Sequence, residues 1–249
     1  MTQKRKITLI ILGIIVVSCL AFIIHSKLAS RNSEKAINTI KKENIKKTSV
    51  NIPINFEAAW EVNQDIIAWI KIPNTKIDYP ILQNPDEDNY YLHRNIERVK
   101  SIIPGSIYIN LNNNANLTDN NTIIYGHNFR MSGKDSKNSM FCDLEKYYDK
   151  TFFEENQEII IYTPKHIYTY EIFAAVTYNN KLIPALYNLD EKDGYQNFLD
   201  SLYNTNGKKD NYSDRIVTVE DKIITLSTCT IDQNHNYRYL VTAVLVKKE

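Results

Sequence analysis

Apolar positions along the chain fall into three regimes. Ile7 to Ile24 form an uncharged apolar run of 18 residues, which as a helix at about 1.5 Å per residue spans about 27 Å, close to the hydrocarbon thickness of a bilayer. From Lys27 to Asn51 the chain is basic and polar, with scattered Leu and Ile and neither Gly nor Pro, and reads as a helical stalk. From Ile52 onward short apolar stretches alternate with turn signals. Asn55 to Asn63 predicts a short amphipathic helix. Ile66 to Ile72 and Ile77 to Gln83 read as strands separated by Pro73-Asn74-Thr75. A helical turn is expected over Asp86 to Asn95, and strands over Gly105 to Asn110 and Thr122 to Tyr125. Met140 to Phe153 has helical spacing, with Phe141, Leu144, Tyr148 and Phe152 on one side. Ile159 to Tyr162 and Ile167 to Tyr178 predict a hairpin, followed by a long insertion with a helix over Leu189 to Tyr203. Arg215 to Val219, Lys222 to Ser227 and Tyr237 to Val246 read as closing strands. Many short strands with a few peripheral helices predict a barrel or a sandwich.

Charge sharpens this division. Residues 1–47 carry ten Lys/Arg against Glu34 and Glu43, a net of +8, while the rest carries 20 basic and 27 acidic residues, a net of −7. A domain with that sign is not built for a polyanion, so no nucleic-acid partner is expected. Lys4-Arg5-Lys6 before the apolar run put residues 1–6 in the cytoplasm, 7–24 in the membrane, and the stalk (25–51) and folded domain (52–249) outside. A cleaved signal peptide is the rival reading, with Val16-Val17-Ser18-Cys19 as a loose lipoprotein box. The apolar run continues past Cys19 through Ile24, which favours an uncleaved anchor.

Three cysteines are too few for a disulfide scaffold, and only Cys142 and Cys229 lie in the soluble part. A bridge between them stays open at this level. Cys229 ends an apolar strand and faces a polar loop, a place where a rigid element presents a side chain to a cleft. Pairing across the Thr230–Asn236 loop brings Arg238 beside it, a permanent cation suited to a thiolate or an oxyanion. Of five histidines, His127 follows an apolar strand and Gly126; His235 lies in the loop nearest Cys229. Context favours His127, with His235 as the alternative base. No His/Cys/Asp/Glu spacing suggests a metal, and no glycine pattern suggests a nucleotide cofactor.

Tyr125-Gly126-His127-Asn128, Thr225-Leu226-Ser227-Thr228-Cys229 and Arg238 together resemble the signature elements of the sortases. Ser227 within the pentapeptide, Asn63 to Ile70 followed by Ile77 to Ile81, Gly105-Ser106-Ile107 and the helix-bearing insertion resemble the class B branch. The similarity runs from about Asn55 to the C-terminus. It implies an eight-stranded β-barrel with peripheral helices and a cleft holding His127, Cys229 and Arg238, with Ser227, Thr228 and Thr230 shaping the substrate site. The implied partners are secreted proteins with a C-terminal sorting motif of the Asn-Pro-x-Thr-Asn kind and a peptidoglycan amine. The implied chemistry is a Cys229 thioester, with no cofactor. Two positions depart from the branch: Thr230 stands where an acidic residue is frequent, and Ala68 where Gly is common. A hydrolytic cysteine peptidase using the same residues, and a non-enzymatic surface-binding β-domain, are the alternatives.

Overall fold

The computed structural model describes residues 3–42, 51–100, 105–129, 139–205, 207–230, 232 and 234–249. The apolar run and most of the stalk form one helix, α1 (Gln3–Lys42). Its side chains from Ile7 to Ile24 are exposed, and this stretch is long and apolar enough to cross a bilayer. The C-terminal part packs on the domain: Ile40 is buried with Ile52, Ile54 and Phe56, and Lys41 Nζ meets Asp78 Oδ2 at 2.8 Å. Stalk residues 43–50 lie outside the described residues.

The next helix, α2 (Phe56–Val62), begins where the sequence signals it. Asn55 is its N-cap, accepting from the Ala58 N–H at 3.1 Å, and Phe56 and Ala59 are buried. β1 (Ile66–Lys71) and β2 (Asp78–Leu82) follow as an antiparallel hairpin. Then come β3 (Ile107–Tyr108), β4 (Asn121–Tyr125), and a small ribbon of β5 (Asn128–Phe129) with β6 (Ser139–Met140). After α3 (Lys150–Glu155), β7 (Glu158–Tyr162) and β8 (Ile167–Asn179) pair around the Thr163–His166 turn. The insertion holds α4 (Ile183–Leu186), α5 (Lys192–Tyr203) and the two-residue β9 (Asn211–Tyr212). β10 (Ile223–Cys229) and β11 (Tyr237–Lys248) complete the chain.

The strands lie in the order β11-β10-β4-β3-β2-β1-β7-β8, and β8 pairs back onto β11, so eight strands close into a barrel with β9 on its edge. Among the described residues each of the eight strands has a neighbour on both sides. Alternation then sorts the side chains. Ile124, Leu226, Tyr239, Val241, Ile161 and Ile172 fill the interior. Ile123, Phe173, Ile223 and Leu240 face outward and are covered by Tyr195, Phe198 and Leu202 of α5. A third cluster, around Trp69, Tyr91 and Phe56, seats α2 and the start of the domain.

Three expected elements differ. Met140 to Phe153 is not one helix: a 3₁₀ stretch (Cys142–Tyr148) ends at Asp149, whose extended backbone and side-chain cap on Phe152 start α3 afresh. Arg215 to Val219 is not a strand, and Ile216 is 84% exposed. Both edges of β10 are taken by β4 and β11, so the segment before it has no ladder to join. Gly105 to Asn110 keeps only Ile107–Tyr108 as strand, because Gly105 and Ser106 are engaged elsewhere.

Their partner is the turn at Tyr90–Leu92. Tyr91 is buried, and its hydroxyl donates to Asp65, which also meets Arg98 at 3.0 Å; Asn63 bridges Tyr91 Oη and the Ile96 carbonyl, each at 2.8 Å. Ser106 donates its N–H to the Tyr91 carbonyl at 2.9 Å and its hydroxyl to the Arg94 carbonyl at 3.1 Å. Gly105 permits this approach: a Cβ there would fall 2.0 Å from the Tyr91 oxygen and 2.4 Å from that of Leu92. Both clashing groups are backbone, so relief requires moving the turn. Gly105→Ala is therefore expected to lower stability by about 1–3 kcal/mol in denaturant unfolding; an unchanged midpoint would refute the packing described.

Candidate active site

β10 supplies the centre of the site. Leu226 points into the barrel, so Ser227 and Cys229 face outward on the same strand, and Cys229 is the last residue of the ladder. Its thiol is partly exposed, whereas Cys142 is buried, and no disulfide joins the two. Across the Thr230–Asn236 loop, Cys229 pairs directly with Arg238, and Arg238 pairs with Tyr178 of β8. Directly opposed residues share a face, so thiol, guanidinium and phenol form one row along the outer surface. The Arg238 guanidinium donates to the Tyr237 carbonyl at 2.9 Å and lies 3.5 Å from that of His235. Ile231 and Gln233 of the connecting loop lie outside the described residues.

On the other side of β10 runs β4, parallel to it, with Tyr125 opposite Ser227. Beyond Tyr125 the segment stays laced to the cysteine strand residue by residue. Gly126 N–H donates to the Ser227 carbonyl at 3.2 Å, Thr228 Oγ1 donates to the Gly126 carbonyl at 2.7 Å, and Asn128 Nδ2 donates to the Cys229 carbonyl at 3.1 Å. His127 sits inside this lacing. Gly126 allows it, because a Cβ there would lie 2.6 Å from the Phe141 ring.

The His127 ring is half-buried, and its Nε2 lies 2.7 Å from the Leu92 carbonyl in the turn that Gly105 supports. A carbonyl only accepts, so Nε2 carries a proton and Nδ1 is the atom left to exchange one. Burial pulls the imidazole below its usual value; the Leu92 bond opposes this, and neighbouring His93 adds to it. The two imidazole centroids are 6.2 Å apart. Tyr108 and Tyr125 stack at 5.5 Å beside this row. Burial raises both phenols, Tyr125 to about 12, while the Arg238 charge acts against the rise at Tyr108. Both remain neutral hydrogen-bond donors near neutral pH.

The other expected residues lie close by. Ser227, Thr228 and Thr230 are all largely buried. The Thr228 hydroxyl is committed to Gly126, and that of Thr230 to Asp232 at 2.6 Å, so both hold the backbone around Cys229. His235 is exposed, and its carbonyl accepts from Asn180 Nδ2 at 2.7 Å. His25 is on α1, and the His166 ring meets the Glu249 carbonyl at 3.2 Å. The sequence did not single out His93, Glu145 or the Leu92 carbonyl. No spacing links them to Cys229, since only tertiary packing brings them there. Among the described residues no group of three or more His, Cys, Asp or Glu side chains is placed to hold a metal ion.

Comparison with known proteins agrees with this fold. Residues 70–246 match the sortase domain family. Sortase B of Listeria monocytogenes is 31% identical over 256 residues, covering 98% of this chain and 97% of its own. The structure of sortase B from B. anthracis in complex with AAEK1 superposes with a TM-score of 0.71 at 30% identity, covering 90% of this chain and 99% of that one. A Staphylococcus aureus sortase B–substrate complex gives 0.64 at 32% identity, covering 77% and 84%. A closed eight-stranded barrel, a matching family domain and relatives aligned over nearly their whole length lead to one assignment: this chain belongs to the sortase family, as a class B transpeptidase of the cell-wall anchoring type.

Proposed function

We propose that the protein is a membrane-anchored transpeptidase that cleaves a C-terminal sorting motif of the Asn-Pro-x-Thr-Asn kind after its Thr and transfers the acyl group to a peptidoglycan amine. The observation that carries this reading is the pairing of Cys229 with Arg238 on one side and its lacing to the His127 segment on the other. The Cys229 thiolate attacks the Thr carbonyl carbon, forming the S–C bond and a tetrahedral oxyanion. Arg238 and the Thr230 backbone N–H stabilise that charge. Collapse breaks the C–N bond, and His127 returns a proton to the departing amine. The acceptor amine then attacks the thioester, gives its proton to His127, and releases the thiolate. Ser227, Thr228 and Thr230 shape the cleft without taking part in proton transfer. The apolar exposed stretch of α1 anchors the enzyme in the membrane, with residues 1–6 cytoplasmic and the barrel outside.

Cys229→Ala is expected to abolish cleavage of a sorting-motif peptide library and the mass-spectrometric acyl-enzyme signal, with the unfolding midpoint retained; persisting turnover would sink the proposal. The base is tested by assaying His127→Ala beside His235→Ala. A loss of about 10²–10⁴-fold is expected for the first and near-normal rates for the second, and the reverse result would reassign the base.

The buried imidazole also makes a stability prediction. Its folded-state pKa is lowered, so in the acid window below about 6.5 the unfolded chain binds the extra proton and stability falls as pH drops. Between pH 7 and 5 the denaturant midpoint of the parent chain should therefore fall more steeply than that of His127→Gln. Superimposable slopes would show that His127 is not held in a desolvated site.

A further inference from the structure

Asn128 is buried, and its amide nitrogen has two partners: the Cys229 carbonyl at 3.1 Å and Glu145 Oε1 at 2.6 Å. A peptide carbonyl always accepts, so its Asn128 neighbour must be the amide NH₂, and that choice of amide orientation is fixed by chemistry. Glu145 belongs to the 3₁₀ stretch Cys142–Tyr148, so the clamp ties three segments together: the one after β4, the end of β10, and the stretch following β6.

The consequence lies in the peptide between Cys229 and Thr230. The described residues contain no cis peptide bond, and in a trans peptide the C=O and the following N–H point in opposite directions. Asn128 draws the Cys229 carbonyl to the β4 side of β10. The Thr230 N–H is thereby turned to the β11 side, where Arg238 stands opposite Cys229. From this geometry we infer that Asn128, braced by Glu145, is a positioning residue that aims the Thr230 N–H at the oxyanion formed on Cys229. Asn128 bonds the Cys229 carbonyl rather than the thiol. It acts by fixing one backbone plane, and through the same side chain it couples the His127 segment to the cysteine peptide. The inference rests on Cys229 being the nucleophile.

The test separates reactions that build an oxyanion from one that does not. Acylation of Cys229 by p-nitrophenyl acetate forms an S–C bond through a tetrahedral oxyanion and expels p-nitrophenolate. Alkylation by iodoacetamide also consumes the thiolate, but it displaces iodide with no oxyanion. Both rates are measured on the full chain in detergent, with the modified residue assigned by mass spectrometry. Asn128→Ala should lower the acylation rate about 10–100-fold, while alkylation stays within about twofold of the parent. Asn128→Asp keeps the size but turns an acceptor oxygen toward the Cys229 carbonyl, and it should show the same split if the alanine variant fails to fold. With a sorting-motif peptide the loss should fall on kcat with KM little changed. Acylation within about threefold of the parent, or a parallel loss of alkylation, would overturn the inference. A parent enzyme in which neither reagent modifies Cys229 would instead overturn the reading of Cys229 as nucleophile.

Discussion

The site depends on the parallel pairing of β4 with β10 inside a barrel whose other ladders are mostly antiparallel. A parallel neighbour on one side and an antiparallel one on the other leave the C-terminal end of β10 flanked by the exit of β4 and the entry of β11. Three residues separated by up to 111 positions, His127, Cys229 and Arg238, are thus delivered to one end of one strand. Closure of β8 onto β11 makes this arrangement stiff, since neither flanking strand can slide without breaking a ladder along the whole barrel.

Hydrogen bonds then refine what pairing places. Backbone and side-chain hydrogen bonds lace Gly126 to Asn128 onto successive residues of the cysteine strand, so His127 and Cys229 cannot move independently. The opposite wall is the Tyr90–Leu92 turn, held by the buried Asn63–Asp65–Tyr91–Arg98 network and by the close approach of Gly105. That wall contributes one carbonyl, which fixes the His127 tautomer. Burial and this bond act on the imidazole in opposite directions, and burial prevails. The site is therefore a set of backbone positions fixed by strand pairing and hydrogen bonds, which suits charge stabilisation by preorganised donors.

Much of the architecture was legible in local pattern. The Asn55 cap, the β1–β2 hairpin, the β7–β8 hairpin and the apolar strand ending at Cys229 all rest on interactions within a few residues, and each falls within one or two residues of its expected bounds. Arg215 to Val219 reads as a strand because Ile216, Val217, Thr218 and Val219 are all β-branched, whereas strand formation also requires a vacant edge. Met140 to Phe153 was misread because helical spacing continues through Asp149, while the carboxylate at that position caps a new helix. His93 and Glu145 gave no signal, because their neighbours in the site are distant in sequence.

The sequence by itself determined the candidates for the chemistry: a thiol at a strand end, an imidazole after a glycine, an arginine opening the next strand. It did so because residue type and short-range spacing are local properties. Only the tertiary structure decided that His127 and not His235 lies in the lacing beside Cys229, and which imidazole nitrogen meets the Leu92 carbonyl. It also decided that a buried amide holds the Cys229 peptide plane. Those outcomes depend on strand order and barrel closure, which bring together donors and acceptors that no sequence separation links.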